Sequence, residues 1–221
     1  DYDGEYVFLK NDPELKIPVH QLVRGYMYEN GMVAGEVVQA TSDGRLPRYS
    51  GADPVTGQGT MGVSYTFGAQ ACEIRIDKET GKIIIDHFAS SFDVGKVINP
   101  EQIRGQINGG VMMGIGATLH EELKFTADGK ALNPHFAKYR FPNIKDSPKK
   151  YTVECVETPE AIGPFGARGI GEHPVIGVAP AILNAVFDAI GTDFFEIPLT
   201  PEKILKALAD KATGKSDSAK K

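Results

Sequence analysis

The sequence predicts an α+β fold of mixed hairpins and helices, and three of its patterns carry that prediction. Polar and apolar residues alternate through 64–77 and 82–95, which is typical of the two strands of a hairpin. Apolar residues recur at helical spacing through 100–123 and 201–212. Strands and helices do not alternate regularly along the chain, as they do in proteins built on a parallel sheet.

The composition is that of an ordinary globular protein and argues against two classes of partner. Of 221 residues, 41% are hydrophobic and 24% are charged, and the net charge is −5. An acidic chain is not expected to bind nucleic acid nonspecifically. We expect no apolar run of the ~18 residues that a membrane span needs. Two cysteines without metal-ligand spacing predict reduced, buried thiols, and we expect a cytoplasmic protein.

We expect one domain over residues 1–212, with a loop excursion at 42–61 that is rich in glycine, proline, serine and aspartate. The polar tail at 213–221 is predicted to be disordered. Before the excursion, the patterns predict these elements: a strand at 5–10, a helix at 18–31 and a strand at 32–41.

The hairpin that follows the excursion is predicted to have one half-solvated strand and one more buried strand. In the first strand, Cys72, Ile74 and Ile76 alternate with charged residues. Gly81 closes the turn at 78–81, where a left-handed backbone conformation is needed.

The helix predicted at 100–123 has a strong start signal and an unusual glycine content. Asn99 suits the N-cap, with Pro100 at the first helical position and Glu101 in the first turn. Five glycines lie inside the helix, at 105, 109, 110, 114 and 116. Each costs ~1 kcal/mol relative to alanine. Two explanations stay open, namely close packing of another element or close approach of a ligand.

The last third of the chain contains a glycine-rich loop between two predicted elements. After a polar excursion at 124–150, the pattern predicts a strand at 151–157. The loop GPFGARGIGE at 163–172 then leads into a helix at 174–191. A final helix at 201–212 starts after the N-cap residue Thr200.

The loop at 163–172 is the main candidate for a functional site. Its small residues expose backbone N–H groups near a helix start, and Arg168 adds a positive charge, so the loop suits an anionic cofactor. Glu172 either caps the following helix or acts as a general base. The sequence TGQG at 56–59 is interpreted as turn chemistry, and the five histidines show no metal-ligand spacing, so no metal ligand is predicted.

Four segments, in this order, resemble the molybdenum-binding large subunit of the xanthine dehydrogenase/aldehyde oxidase family of molybdenum hydroxylases. They are TGQGTMGVSYTFGAQACEIRIDKETGKI, DVGKVINPEQIRGQINGGVMMGIGATLHEEL, GPFGARGIGEHP and APAILNAVFDAIG. Together they span about residues 53–205. The resemblance implies the fold of the C-terminal half of the family's second molybdopterin-binding domain.

The resemblance also implies a molybdopterin cofactor, with or without a dinucleotide extension, whose molybdenum takes no ligand from this chain. Gln106 matches a glutamine that hydrogen-bonds the pterin, and Glu172 matches the general base. His173 stands where the family usually has proline, so it either touches the substrate or reshapes the helix start. The residues that match the family's cofactor-contacting loop are Gly166, Ala167, Arg168, Gly169, Ile170 and Gly171.

By resemblance, the chain is a segment or split subunit of a molybdenum-dependent oxidoreductase that hydroxylates a heterocycle or an aldehyde with water. Activity would need the remaining part of the molybdenum subunit, and iron–sulfur clusters and FAD would lie on partner domains or chains. The alternative is a noncatalytic module that docks a partner and keeps a degenerate cofactor wall. The presence of both Gln106 and Glu172 favours catalysis.

Overall fold

The chain divides into two compact units, Asp1–Pro47 (unit 1) and Arg48–Lys221 (unit 2). The prediction of one domain over residues 1–212 stays a prediction. Half of the predicted excursion at 42–61 and nearly all of the predicted tail lie outside the described residues. The computed structural model describes residues 1–23, 25–35, 39, 41, 51–60, 62 and 64–213.

The described residues of unit 1 form two small antiparallel sheets and one helical turn. In chain order these elements are β1 (Tyr6–Leu9), β2 (Asp12–Pro18), α1 (Val19–Leu22), β3 (Tyr26–Met27) and β4 (Val33–Ala34). β1 pairs with β2, and β3 pairs with β4. The strand predicted at 5–10 is confirmed by β1.

The helix predicted at 18–31 is wrong, because only the single turn α1 forms. Gly25 and Gly31 have φ of +83° and +81°, which no helix can accommodate. The Gly25 N–H donates to the Leu22 carbonyl at 3.1 Å and closes the turn. The strand predicted at 32–41 is reduced to β4 in the part that the structure describes.

Unit 2 is built on a three-stranded sheet in the order β5–β6–β7. β5 (Gly68–Ile76) and β6 (Ile83–Asp93) form the predicted antiparallel hairpin, and Gly81 in its turn has φ of +72°. β7 (Lys150–Val156) confirms the strand predicted at 151–157, but it pairs with β6 in parallel. Parallel neighbours require a crossover connection. This crossover was not predicted from the sequence.

The crossover contains α2 (Pro100–Leu119), which begins as predicted and ends earlier. The Asn99 side chain accepts a hydrogen bond from the Gln102 N–H at 3.1 Å, so it is the N-cap. The predicted end at 123 is wrong, because the N–H groups of His120 and Glu121 both bond the Gly116 carbonyl. The helix therefore closes four residues before the predicted end.

Up to residue 213, where the described part of the chain ends, three further helices follow the loop region: α3 (His173–Ile176), α4 (Val178–Ile190) and α5 (Pro201–Ala212). α5 has the predicted bounds, and the Thr200 side chain caps it by accepting from the Lys203 N–H. The helix predicted at 174–191 is divided at Gly177 into α3 and α4. The predicted α+β class is confirmed.

The core of unit 2 lies between one face of the sheet and helices α2, α4 and α5. Its fully buried side chains include Phe88 of β6, Ile115 of α2, Ile182 of α4 and Ile204 of α5. A second, smaller cluster contains the buried residues Phe92, Val94, Ile103 and Ile107. It lies where β6 runs into α2, close to the candidate site.

One segment corrects the expectation that no apolar run is long enough to cross a membrane. His173–Ile190 has the required length and a mean hydropathy of 1.5. A single such helix is weak evidence for a span, because core helices meet the same criterion. Here the buried residues of α4 belong to the main core of unit 2, and Val178, Ile182 and Val186 are completely buried.

The glycines of α2 fall into two groups. A Cβ atom on Gly110 would lie 2.6 Å from Cβ of the buried Pro174, and one on Gly114 would collide with Val178. Close helix packing therefore explains these two residues. By contrast, no atom lies within 4 Å of a Cβ placed on Gly105 or Gly109.

This difference gives a matched pair of variants in adjacent positions. Gly110→Ala is expected to lower the free energy of unfolding by about 1–3 kcal/mol, because the new methyl group overpacks the contact with Pro174. Gly109→Ala is expected to raise it by up to ~1 kcal/mol, because alanine is the better helix former. Urea unfolding followed by circular dichroism measures both, and equal effects would contradict the packing.

The cysteines are both free, but only one of them is shielded as predicted. Cys72 is half-buried, and burial raises the pKa of its thiol to about 11. Cys155 is exposed, so the prediction of a buried thiol is wrong there.

Alkylation by iodoacetamide at mildly alkaline pH is therefore expected to modify Cys155 well before Cys72, since the thiolate is the reactive form. Mass spectrometry of the wild-type chain and of Cys155→Ser reads out the order. Faster modification of Cys72 would show that this side of β5 is open to solvent.

Candidate functional site

The glycine-rich loop at 163–172 is held to the rest of unit 2 along its length. The carbonyl of Gly166 accepts hydrogen bonds from the N–H groups of Lys96 and Glu160, at 2.8 and 2.9 Å. The N–H of Arg168 donates to the carbonyl of Val94 at 2.9 Å. These bonds fix the first half of the loop to the end of β6, where the chain turns toward α2.

The Arg168 side chain points into the protein and is only 13% exposed. Its Nη1 lies 2.9 Å from a carboxylate oxygen of Glu160, and its Nε lies 3.6 Å from one of Asp93. Nη1 also donates to the carbonyl of Tyr65 at 2.7 Å and to the hydroxyl of Ser64 at 3.2 Å. Its charge is therefore neutralised within the chain.

Both carboxylates around Arg168 are held ionised by hydrogen bonds. The N–H of Gly95 is the main cause that lowers the pKa of Asp93, and the Thr158 N–H and Arg168 add to it. The Ser64 hydroxyl, at 2.8 Å, is the main cause that lowers the pKa of Glu160, and Arg168 adds to it. These groups stabilise the fold above the ordinary carboxyl pKa range, and the contribution is lost as the pH falls below it.

The second half of the loop is fixed by α2. Nε2 of Gln106 donates to the carbonyl of Gly171 at 2.6 Å. The side chain of Ile170 packs on the small core cluster that contains Val94 and Ile103. Gln106 and the loop, which the sequence predicted to serve one cofactor, are therefore brought into direct contact.

A cavity of about 410 Å³ lies between this loop and the N-terminal half of α2. Among the predicted cofactor residues, Gly166 and Gly169 do not line it. The predicted residues that do line it are Gln106, Ala167, Arg168, Ile170 and Gly171. The sequence analysis missed the other lining residues, which are Val94, Lys96, Ile98, Asn99, Gln102 and Ile103.

Some of the missed residues carried a signal in the sequence. Gln102 lies one helical turn before Gln106, so both face the same side of α2. Lys96 gave no such signal, and in the structure its ammonium group is paired with Glu157 at 3.1 Å.

Backbone N–H groups near the cavity are free of partners in the part of the chain that the structure describes. The N–H groups of Gly169, Ile170, Gly171 and Glu172 make no hydrogen bond to any described residue. Ile170 and Gly171 both line the cavity. A run of unpaired N–H groups beside a cavity suits an anion or another hydrogen-bond acceptor.

Glu172 follows Gly171 directly, and its side chain is exposed. It occupies the N-cap position of α3, but its carboxylate makes no capping hydrogen bond, so the structure does not support the capping interpretation. It is not among the described residues that line the cavity. The neighbouring His173 begins α3, and its Nδ1 is buried without a partner among the described atoms.

The loop also contains a strained residue that the sequence did not reveal. Phe165 has φ of +54°, and it is the one described non-glycine residue with a positive φ. Its ring is 89% exposed, so packing within this chain does not explain the strain. Such backbone strain is concentrated at functional sites in proteins.

Two other sequence interpretations concern sites outside the loop. In the TGQG segment, the carboxylate of Asp53 accepts from the N–H groups of Val55 and Thr56, which is turn chemistry as predicted. Across the described ranges, no group of three or more His, Cys, Asp or Glu side chains could hold a metal ion.

The geometry thus defines a cavity between the glycine loop and the helix that carries Gln106. Comparisons with known proteins identify the class of protein that has such a site. The family model described as "Molybdopterin cofactor-binding domain" matches residues 1–148. "Probable hypoxanthine oxidase XdhD" of Escherichia coli (strain K12) is 38% identical over 149 residues, which are 67% of this chain and 16% of that protein.

Two further comparisons cover more of the chain. "Aldehyde oxidoreductase molybdenum-binding subunit PaoC" of Escherichia coli (strain K12) is 32% identical over 185 residues, which are 82% of this chain and 25% of PaoC. The solved structure of the aldehyde oxidoreductase from Desulfovibrio gigas superposes with a TM-score of 0.67 and 35% identity. That superposition covers 73% of this chain and 17% of the other.

The chain therefore belongs to the xanthine dehydrogenase/aldehyde oxidase family of molybdenum hydroxylases, as a segment of the molybdenum-binding large subunit. It spans only 16% to 25% of the length of the two curated relatives.

Proposed function

We propose that this chain supplies one wall of the molybdopterin site and the general base of a molybdenum hydroxylase. The substrate class is a heterocycle or an aldehyde, and water is the source of the added oxygen. The observation that carries the proposal is the cavity of about 410 Å³. At this cavity the side chain of Gln106 contacts the glycine loop at Gly171, the residue directly before Glu172.

The residues around the cavity fit a pterin cofactor. A pterin offers several hydrogen-bond donors and acceptors in one flat ring system. Nε2 of Gln106 is used by Gly171, while its Oε1 makes no hydrogen bond to any described residue and can accept one from a ligand. The free N–H groups of Ile170 and Gly171 can donate, and Ile98 and Ile103 provide apolar surface.

When bound, the molybdenum of this cofactor supplies the two-electron oxidation of the substrate carbon. The part of Glu172 is to accept the proton that water loses, for which an exposed carboxylate directly after the lining residue Gly171 is suited. Cofactor contacts by the six loop residues from Gly166 to Gly171 belong to the same proposal. Analysis of the bound pterin would distinguish a cofactor with a dinucleotide extension from one without it.

The remaining part of the molybdenum subunit, iron–sulfur clusters and FAD are proposed as partners, since this chain spans a quarter or less of the relatives compared above. A cytoplasmic location is likewise proposed, and the free Cys72 and Cys155 are compatible with a reducing compartment.

The competing function is a noncatalytic docking module. Large exposed apolar side chains in unit 1, such as Leu15 at 60% and Met32 at 66%, favour a docking role for that unit. Metal and pterin analysis of the chain purified with its native partners separates the two functions. Molybdenum and pterin in the complex support the enzyme, and their absence supports the docking module.

Glu172→Gln in the assembled enzyme tests the proposed base directly. Turnover is expected to fall by ~100-fold or more, because the amide cannot accept a proton. Glu154→Gln, on the exposed side of β7, is the matched control and is expected to keep wild-type turnover. Turnover of Glu172→Gln within a few-fold of wild type would overturn the assignment.

Gln106→Ala tests the cofactor wall by binding rather than by turnover. Molybdopterin retention on dilution is expected to fall about tenfold. The variant loses one hydrogen bond of ~1 kcal/mol to the cofactor, and it also loses the hydrogen bond to the Gly171 carbonyl that holds the loop. Gln102→Ala removes a lining amide that makes no side-chain hydrogen bond to a described residue, and it is expected to have a smaller effect. Equal retention by both variants and wild type would contradict the proposed role of Gln106.

A further inference from the structure

We propose that Arg168 is a positioning residue that fixes the glycine loop, and through it Glu172, by clamping Asp93 and Glu160. The catalytic part of this inference rests on the proposed function of Glu172. The structural part does not, because it concerns contacts within unit 2.

The clamp joins three separate parts of the chain at one guanidinium group. Asp93 is the last residue of β6, Glu160 precedes the loop, and Ser64 precedes β5. The side chains of Asp93, Glu160 and Arg168 are all shielded, with exposed fractions of 13%, 18% and 13%. An ion pair in such surroundings is screened less than a surface pair, and loss of one partner leaves the others uncompensated.

The hydrogen bonds around the clamp show why arginine suits this position. Nε of Arg168 donates to the Thr158 carbonyl at 3.3 Å, while Nη1 reaches the Tyr65 carbonyl and the Ser64 hydroxyl. A planar guanidinium presents several donors in fixed directions, whereas the ammonium group of lysine is a single point of charge. Lysine could pair with one carboxylate but could not bridge all these acceptors.

The clamp acts on Glu172 because the chain between two anchors is short. Arg168 is fixed by the clamp on one side, and Pro174 is buried against Gly110 on the other. The carbonyl of Pro174 also accepts from the Gln70 side chain at 2.9 Å. Gly169, Ile170, Gly171, Glu172 and His173 span these anchors. Release of the first anchor would leave the segment before Glu172 held by the hydrogen bonds of Thr66 to Gly169 and of Gln106 to Gly171 and by the packing of Ile170.

The experiment compares Arg168→Met, Arg168→Lys and Arg75→Met in the assembled enzyme. Arg75 pairs with Asp86 on the sheet and is the control, because this pair is distant in sequence from the loop and Arg75 is well exposed. The first measurement is hydrogen exchange of the bonded amides of Lys96, Glu160 and Arg168, with α5 as internal reference. The second is turnover per bound molybdopterin, together with KM.

Arg168→Met is expected to speed exchange at these three amides by about tenfold or more, while α5 is unchanged. Turnover per bound molybdopterin is expected to fall by up to about 100-fold with KM within a few-fold, since misplacing a catalytic group costs rate rather than binding. Arg168→Lys is expected to give intermediate values, and Arg75→Met wild-type values. A purely structural role would reduce the amount of loaded enzyme but not turnover per molybdopterin.

The outcomes separate this inference from the proposed function. If hydrogen exchange in Arg168→Met equals that of the wild type, the clamp is overturned. If exchange is faster, turnover is unchanged and Glu172→Gln is inactive, the link between the clamp and Glu172 is overturned. If Glu172→Gln keeps full turnover, the proposed base fails while faster exchange still supports the clamp. If Arg168→Met does not accumulate, Ser64→Ala is used instead, because it removes one contact from Arg168 and one from Glu160. This variant is expected to speed hydrogen exchange at the same three amides by a few-fold. Unchanged exchange would overturn the clamp.

Discussion

The candidate site depends on the close contact between the glycine face of α2 and the start of the α3–α4 segment. Without side chains at Gly110 and Gly114, the backbone of α2 comes close enough to touch Pro174 and Val178, which are both buried. Any larger residue would push the two segments apart. Since Glu172 lies two residues before Pro174, this helix contact sets where the carboxylate is placed.

The same face of α2 also fixes the loop. Gln106 is one turn before Gly110 on α2, and its side chain holds the Gly171 carbonyl at 2.6 Å. Ile170 packs against the small core cluster, which includes Ile103 of the same helix. A sequence of alternating glycines would be flexible in isolation, yet here it is supported by hydrogen bonds, an apolar anchor and a buried arginine. The loop therefore combines small residues with a defined path.

The sequence predicted the parts of this arrangement that depend on local signals. The cap at Asn99, the hairpin around Gly81 and the bounds of α5 follow from residue types whose backbone preferences act over a few positions. The resemblance linked Gln106 with the glycine loop, and the structure places them in contact. The identity of the base and of the cofactor contacts remains a prediction.

The features that could not be predicted from the sequence depend on contacts between residues far apart along the chain or on backbone conformations at single glycines. The parallel pairing of β6 with β7 depends on where a helix packs, which no local pattern encodes. The helix expected at 18–31 had apolar periodicity, but its glycines take positive φ and end the helix after one turn. The partners of Arg168 lie up to 104 positions away along the sequence, so a charge that suggested anion binding is in fact bound to Asp93 and Glu160.

The ion pairs of the cavity-lining cations determine the electrostatics of the cavity wall. Of the described residues that line the cavity, both cations are already paired, Lys96 with Glu157 and Arg168 with Asp93 and Glu160. An anionic group in the cavity would therefore meet backbone N–H groups of the glycine loop rather than a free positive side chain. Because hydrogen bonds from the backbone are directional, this wall would select a ligand by the position of its acceptors more than by its charge. Under the proposed function, a fixed loop path would be required for cofactor binding as well as for catalysis, and the buried arginine would serve both.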